Sequence, residues 1–86
     1  MPEISRFYGI VIRMFYNDHS PPHFHAIYGD DEALIDIGTL DYIEGKLPKR
    51  ARTLVTEWAT EHREELVTNW EKARKPEELL PIEPLN

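Results

Sequence analysis

The sequence predicts an α+β domain: an antiparallel sheet of about four strands, then one long bent helix or two helices packed on its apolar face, and an extended C-terminal tail. Three observations predict it. Between residues 9 and 44 the side chains alternate with a period of two, interrupted by clusters of turn formers. From Pro48 to about Lys75 the apolar spacing becomes helical. Beyond Lys75, Pro76, Pro81 and Pro84 exclude both regular structures. The 86 residues make room for one modest core and hence a single domain, mainly β over 1–45, α-helical over 46–75 and a Pro-rich tail over 76–86.

The first strand is expected within Gly9–Tyr16, where Ile10, Ile12, Met14 and Tyr16 share the buried face and Val11, Arg13 and Phe15 the other. Residues 17–22 (Asn-Asp-His-Ser-Pro-Pro) are a loop, because two consecutive prolines remove two amide donors. His23–Tyr28 alternates again and leads through Gly29-Asp30-Asp31 into a strand over Glu32–Ile37. Its core face must be Ala33, Ile35 and Ile37, sharing a face with Phe24, Ala26 and Tyr28. A two-residue turn, pairing Phe24 with Ile35, and a four-residue turn, pairing Ala26 with Ile35, both satisfy this and both put Asp36 on the histidine face. A turn at Gly38-Thr39 then leads to a strand over Leu40–Glu44, with Leu40 and Tyr42 in the core and Asp41 beside Asp36.

In the helical region Pro48 suits the first turn, and Ala51, Leu54, Val55, Trp58, Ala59 and His62 form one stripe. Leu66, Trp70 and Ala73 continue in a displaced direction, which a bend or a break near Glu61–Glu65 explains. Trp58 and Trp70 read as core anchors, and His62 as a buried imidazole bonded to a backbone carbonyl. Leu79, Leu80, Ile82 and Leu85 are the tail's candidate anchors.

Without cysteine the chain has no disulfide, thiol nucleophile or thiolate zinc site. No apolar run approaches the roughly 20 residues that span a bilayer, and the N-terminus has no signal pattern, so a cytoplasmic protein with no membrane association is expected. The net charge of −6 opposes an RNA target. All of that charge lies in residues 1–45, with two basic side chains against eight acidic, whereas 46–86 carry eight of each. Lys49, Arg50 and Arg52 oppose the dipole at a helix start, which marks them as candidates for binding an anion or an acidic partner.

Three of the four histidines fall within seven residues, His19, His23 and His25. His23 and His25 point the same way on a strand, and the loop brings His19 towards them. Imidazoles in that arrangement suit Zn²⁺ or another divalent transition metal, with Asp36 or Asp18 as carboxylate ligand or outer acceptor. The same residues suit metal-free catalysis, with His23 and His25 as general base and acid, Asp36 fixing a tautomer and Arg13 stabilising a phosphoryl oxyanion. A structural role, the histidines bonding their own loop, is the third alternative.

The stretches Ile4-Ser-Arg-Phe-Tyr-Gly-Ile-Val-Ile-Arg-Met14, Asn17-Asp-His-Ser-Pro-Pro-His-Phe-His-Ala26, Ala33-Leu-Ile-Asp36, Gly45-Lys-Leu-Pro-Lys-Arg-Ala51 and Asn69-Trp70 closely resemble the small bacterial family catalogued as domain of unknown function 4160. His19, Pro21, Pro22, His23, Phe24, His25, Lys49 and Arg50 stand on its signature. The resemblance brings no established reaction. It implies the toxin-type component of a toxin–antitoxin module, with an antitoxin-like partner encoded nearby from the family called domain of unknown function 2442. The alternatives are a metal-binding enzyme or sensor, and an interaction or antitoxin-like module without chemistry. A homo-oligomer covering the outer sheet face, where Phe15 lies, fits a chain this small.

Overall fold

The computed structural model describes residues 2–86. Its sheet has five strands in the order β1-β2-β3-β4-β5: β1 (Glu3–Phe7), β2 (Ile10–Arg13), β3 (His23–Tyr28), β4 (Asp31–Asp36) and β5 (Tyr42–Gly45), followed by helices α1 (Lys49–Glu61) and α2 (Arg63–Arg74). All four pairings are antiparallel, so the sheet is a meander in which every strand lies beside its neighbour in sequence. The α+β class is as expected, with one strand more.

The additional strand is β1, and two local features mask it in the sequence. Its pairing with β2 is irregular between Glu3 and Ser5, so Ile4 and Ser5 are both buried and the alternation is broken. Its turn is Tyr8-Gly9, with φ of 50° and 80°, the two-residue geometry in which asparagine, aspartate or glycine is the usual signal and tyrosine is not. β2 keeps Ile10 and Ile12 in the core and ends at Arg13; Met14 is buried beyond it, whereas Tyr16 is exposed and not a core residue.

Of the two registers open for the next hairpin, the two-residue one is realised: Phe24 pairs with Ile35 and His23 with Asp36. Gly29, at φ 60°, supplies the positive angle at the first turn position. Phe24, Ala26, Ala33, Ile35 and Ile37 are buried together, while Tyr28 at the strand end is exposed. β5 begins two residues later than Leu40, which at φ 63° belongs to the turn; Leu40 and Tyr42 pack on the core's margin. At Gly45, φ is 73° and a Cβ would overlap the Glu32 carbonyl, so only glycine fits.

The displaced apolar stripes resolve into two helices that break at His62 (φ −116°, ψ 24°). Pro48 stands just outside α1 as its cap residue, with ψ 152°, and not within the first turn. Ala51, Val55, Trp58 and Ala59 of α1 and Leu66, Trp70 and Ala73 of α2 join the sheet's apolar face in one core. Trp58 is its centre, with ring centroids 5.4 Å from Phe7 and 5.9 Å from Phe24. His62 is only part-buried; it pairs through Nδ1 with the Glu65 carboxylate and lies against Trp58, so its expected bond to a backbone carbonyl is replaced by a side-chain one.

The tail over residues 77–86 is neither helix nor strand, and Leu79 and Ile82 are its buried anchors, whereas Leu80 is exposed. Asn69, buried on α2, holds it at both backbone groups of Leu80: its Nδ2 donates to the Leu80 carbonyl at 2.8 Å and its Oδ1 accepts from the Leu80 N–H at 2.9 Å. The tail then crosses to the sheet edge, where Ile82 N–H donates to the Ile4 carbonyl, and Trp58 Nε1 donates to the Glu83 carbonyl.

Candidate metal centre

The loop over residues 14–22 has no ladder of its own, yet it is tied down at several points. Met14 N–H donates to the Pro2 carbonyl, Asn17 N–H to the Ala73 carbonyl at the end of α2, and Ile37 N–H to the Pro22 carbonyl. Asn17 takes φ 57°, a conformation asparagine tolerates, and this bend carries the next residue over the start of β3. α2 therefore fixes the loop against the strand, which is the convergence that a sequence reading has to assume.

Asp18 is where the histidines meet. His23 Nε2 lies 2.9 Å and His25 Nε2 3.4 Å from Asp18 Oδ2. One ligand atom from each of Asp18, His23 and His25 falls within 4.8 Å of the others. Ligands held about 2.0–2.2 Å from an ion stand about 3.0–3.5 Å apart at octahedral or tetrahedral angles, so the two separations from Asp18 Oδ2 suit a coordination shell as well as a pair of hydrogen bonds. The opposite ring nitrogens are also engaged. His23 Nδ1 is 2.7 Å from the Pro21 carbonyl, and His25 Nδ1 is 3.0 Å from Glu32 Oε2.

Proton counting makes this arrangement informative. A carbonyl oxygen only accepts, so the Pro21 contact places the His23 proton on Nδ1 and turns the Nε2 lone pair towards Asp18. His25, between two carboxylates, has the same problem. A neutral imidazole has one N–H, so each ring needs either a second proton or a cation beside Asp18. Asp18 itself stays anionic: burial pushes its carboxyl up, but the His19 N–H at 2.9 Å, the His25 hydrogen bond and the neighbouring His23 outweigh it and hold it below the ordinary aspartate value.

Burial grades outward. His23 is 1% exposed and packs 5.3 Å from the Trp70 ring, while the side chain of His25 is 12% exposed and meets the edge of Phe15 at 4.4 Å. His19 is the solvent side, 80% exposed, with Nδ1 3.0 Å from Asp18 Oδ1. It borders the converging trio without belonging to it.

Asp36 is the cross-strand partner of His23, as one of the two registers requires; its Oδ1 accepts from the N–H groups of Gly38 (2.7 Å) and Thr39 (2.9 Å), and the carboxylate in contact with the His23 and His25 rings is that of Asp18. Arg13 lies beside the site as the cross-strand partner of His25. Lys49, Arg50 and Arg52 start α1, an element that carries none of the histidines; Arg52 lies 4.8 Å over the Tyr42 ring. Glu32 and Trp70 are the residues that sequence reasoning missed. Glu32 was findable, because the alternation that places Asp36 on the histidine face places Leu34 and Glu32 there too. Trp70 was not, since its contact depends on how α2 docks.

No curated protein and no solved structure matches the chain. One protein-family model does, over residues 9–71, a span that takes in β2 to β5, α1, most of α2, and Asp18, His19, His23 and His25. The chain belongs to the family described as domain of unknown function 4160.

Proposed function

We propose that the chain binds one divalent transition-metal ion through Asp18 and the Nε2 atoms of His23 and His25, and that this centre performs its chemistry. The supporting observation is the pairing of the outward nitrogens: each Nδ1 rests on an acceptor, Pro21 or Glu32, while each Nε2 turns inward to the same carboxylate oxygen. Outer acceptors of this kind orient metal-bound imidazoles and raise their basicity. Two imidazoles and one carboxylate suit Zn²⁺, Fe²⁺, Mn²⁺ or Ni²⁺. Asp18, His23 and His25 would hold the ion with positions left for water or substrate, the pattern of catalytic centres, and an ion such as Zn²⁺ would supply Lewis acidity and a nucleophile near neutral pH. His19, exposed and adjacent, is the side chain able to join or leave the shell.

The toxin-type role implied by the family resemblance would draw on this centre, with an antitoxin-like partner covering it. A metal-free acid–base site is the second reading, favoured by the single Asp18 oxygen shared between two imidazoles. Metal analysis of tag-free protein separates them. Wild type is expected to hold about one equivalent of metal and Asp18→Asn or His25→Ala none, with circular dichroism unchanged. Failure of wild type to take up metal after supplementation overturns the metal reading. Growth on expression, with and without the neighbouring gene and with the same substitutions, then tests the toxin role.

A further inference from the structure

We propose that the centre carries an oxyanion subsite formed by Arg13, so that its ligand is a phosphoryl or carboxylate group held between the ion and the guanidinium. The inference rests on the metal reading above and assigns the substrate class to that site.

Arg13 and His25 are directly opposed on β2 and β3, which sets their side chains next to each other on the outer face of the sheet. The Arg13 Nε is buried and has no hydrogen-bond partner. A buried donor of a charged group left unpaired is costly, and native structures keep few of them without a use. Among the described residues Arg13 enters no ion pair. Glu3, its partner on β1, is occupied: both of its oxygens accept from Arg6, at 2.9 and 2.8 Å.

Charge points the same way. Asp18 and Glu32 would together balance a divalent ion, and the carboxylate that feels the charge of Arg13, that of Glu3, has both its oxygens bonded to Arg6. An oxyanion would engage both groups, giving one oxygen to the ion and the others to the guanidinium fork, which would satisfy the unpaired Nε–H. Phe15, edge-on to His25, adds an apolar wall that strengthens such a contact by excluding water.

Cobalt-loaded protein tests this, because Co²⁺ reports its coordination by visible absorption. Wild type titrated with Co²⁺ should develop a ligand-field spectrum, and inorganic phosphate or acetate should then change it saturably. The tighter of the two identifies the phosphoryl or the carboxylate source. In Arg13→Gln, Co²⁺ should bind at least as tightly, since a repelling charge is gone, while the anion should bind about tenfold more weakly or worse; Arg13→Lys, which keeps the charge without the fork, should fall between. Circular dichroism checks that both variants fold. A wild-type Co²⁺ spectrum that neither anion changes, or equal anion affinity in wild type and both variants, overturns the subsite and leaves the metal centre standing. No Co²⁺ spectrum in wild type overturns the metal reading and the subsite with it.

Discussion

Asp18 carries more of the site than any other side chain, and its protonation state should be visible in stability. Its folded pKa lies below the ordinary aspartate value, because the His19 N–H and the two histidines outweigh the effect of burial. A carboxyl lowered on folding stabilises the native state above its unfolded pKa, and that contribution disappears as pH falls through the folded one. Urea midpoints of metal-free wild type should therefore drop more steeply than those of Asp18→Asn from about pH 5 downward. Parallel curves would mean that the carboxylate contributes nothing to folding. Residue type and spacing marked the histidines and Arg13 as candidates, and kept Asp18 beside Asp36 as an alternative carboxylate. They do not disclose which acid wins, because that depends on a backbone turn: Gly38 and Thr39 present two N–H groups that hold Asp36, and the bend at Asn17 delivers Asp18 instead.

Among the elements, the period of two was enough to place β3 and β4 and to limit their register to two choices, since a slip of one residue would have turned Phe24 and Ile35 outward. β1 was hidden by its irregular pairing and by tyrosine in its turn, whereas the displaced apolar stripe pointed to a bend or break near Glu61–Glu65, and the helices part at His62. Between β4 and β5 the critical position is Gly45. Gly45→Ala combines a left-handed backbone angle with a clash against the Glu32 carbonyl, and should destabilise the protein by about 1–3 kcal/mol in urea unfolding. The carbonyl it would push belongs to the residue that orients His25, so metal affinity should fall in the same variant while still folded. Unchanged metal binding would show that the strand edge and the site are mechanically independent.

Over the whole molecule, one core joins sheet, helices and tail, which is what a chain of 86 residues needs to bury enough apolar surface. The tail's prolines announced an extended segment, but its fastening was illegible: an asparagine in a helix gives no hint that it will bond both backbone groups of a residue eleven positions on. Asn69→Ala should cost about 1–3 kcal/mol, since it removes two part-buried hydrogen bonds to the tail backbone. Limited proteolysis should then cut within residues 76–86 of the variant well before wild type; equal cleavage would show that Leu79 and Ile82 hold the tail alone. No helix among the described residues is long and apolar enough to cross a membrane.

The position of Trp70 has an optical consequence. Its indole lies 5.3 Å from the His23 ring, whereas Trp58 faces Phe7, Phe24 and His62. An ion at Asp18 changes the electric field felt by one indole far more than by the other, and an open-shell ion quenches the nearer first. The chain thus carries its own fluorophore beside the loop, with a second buried in the core as internal reference, so occupancy of the site becomes readable as emitted light from unlabelled protein.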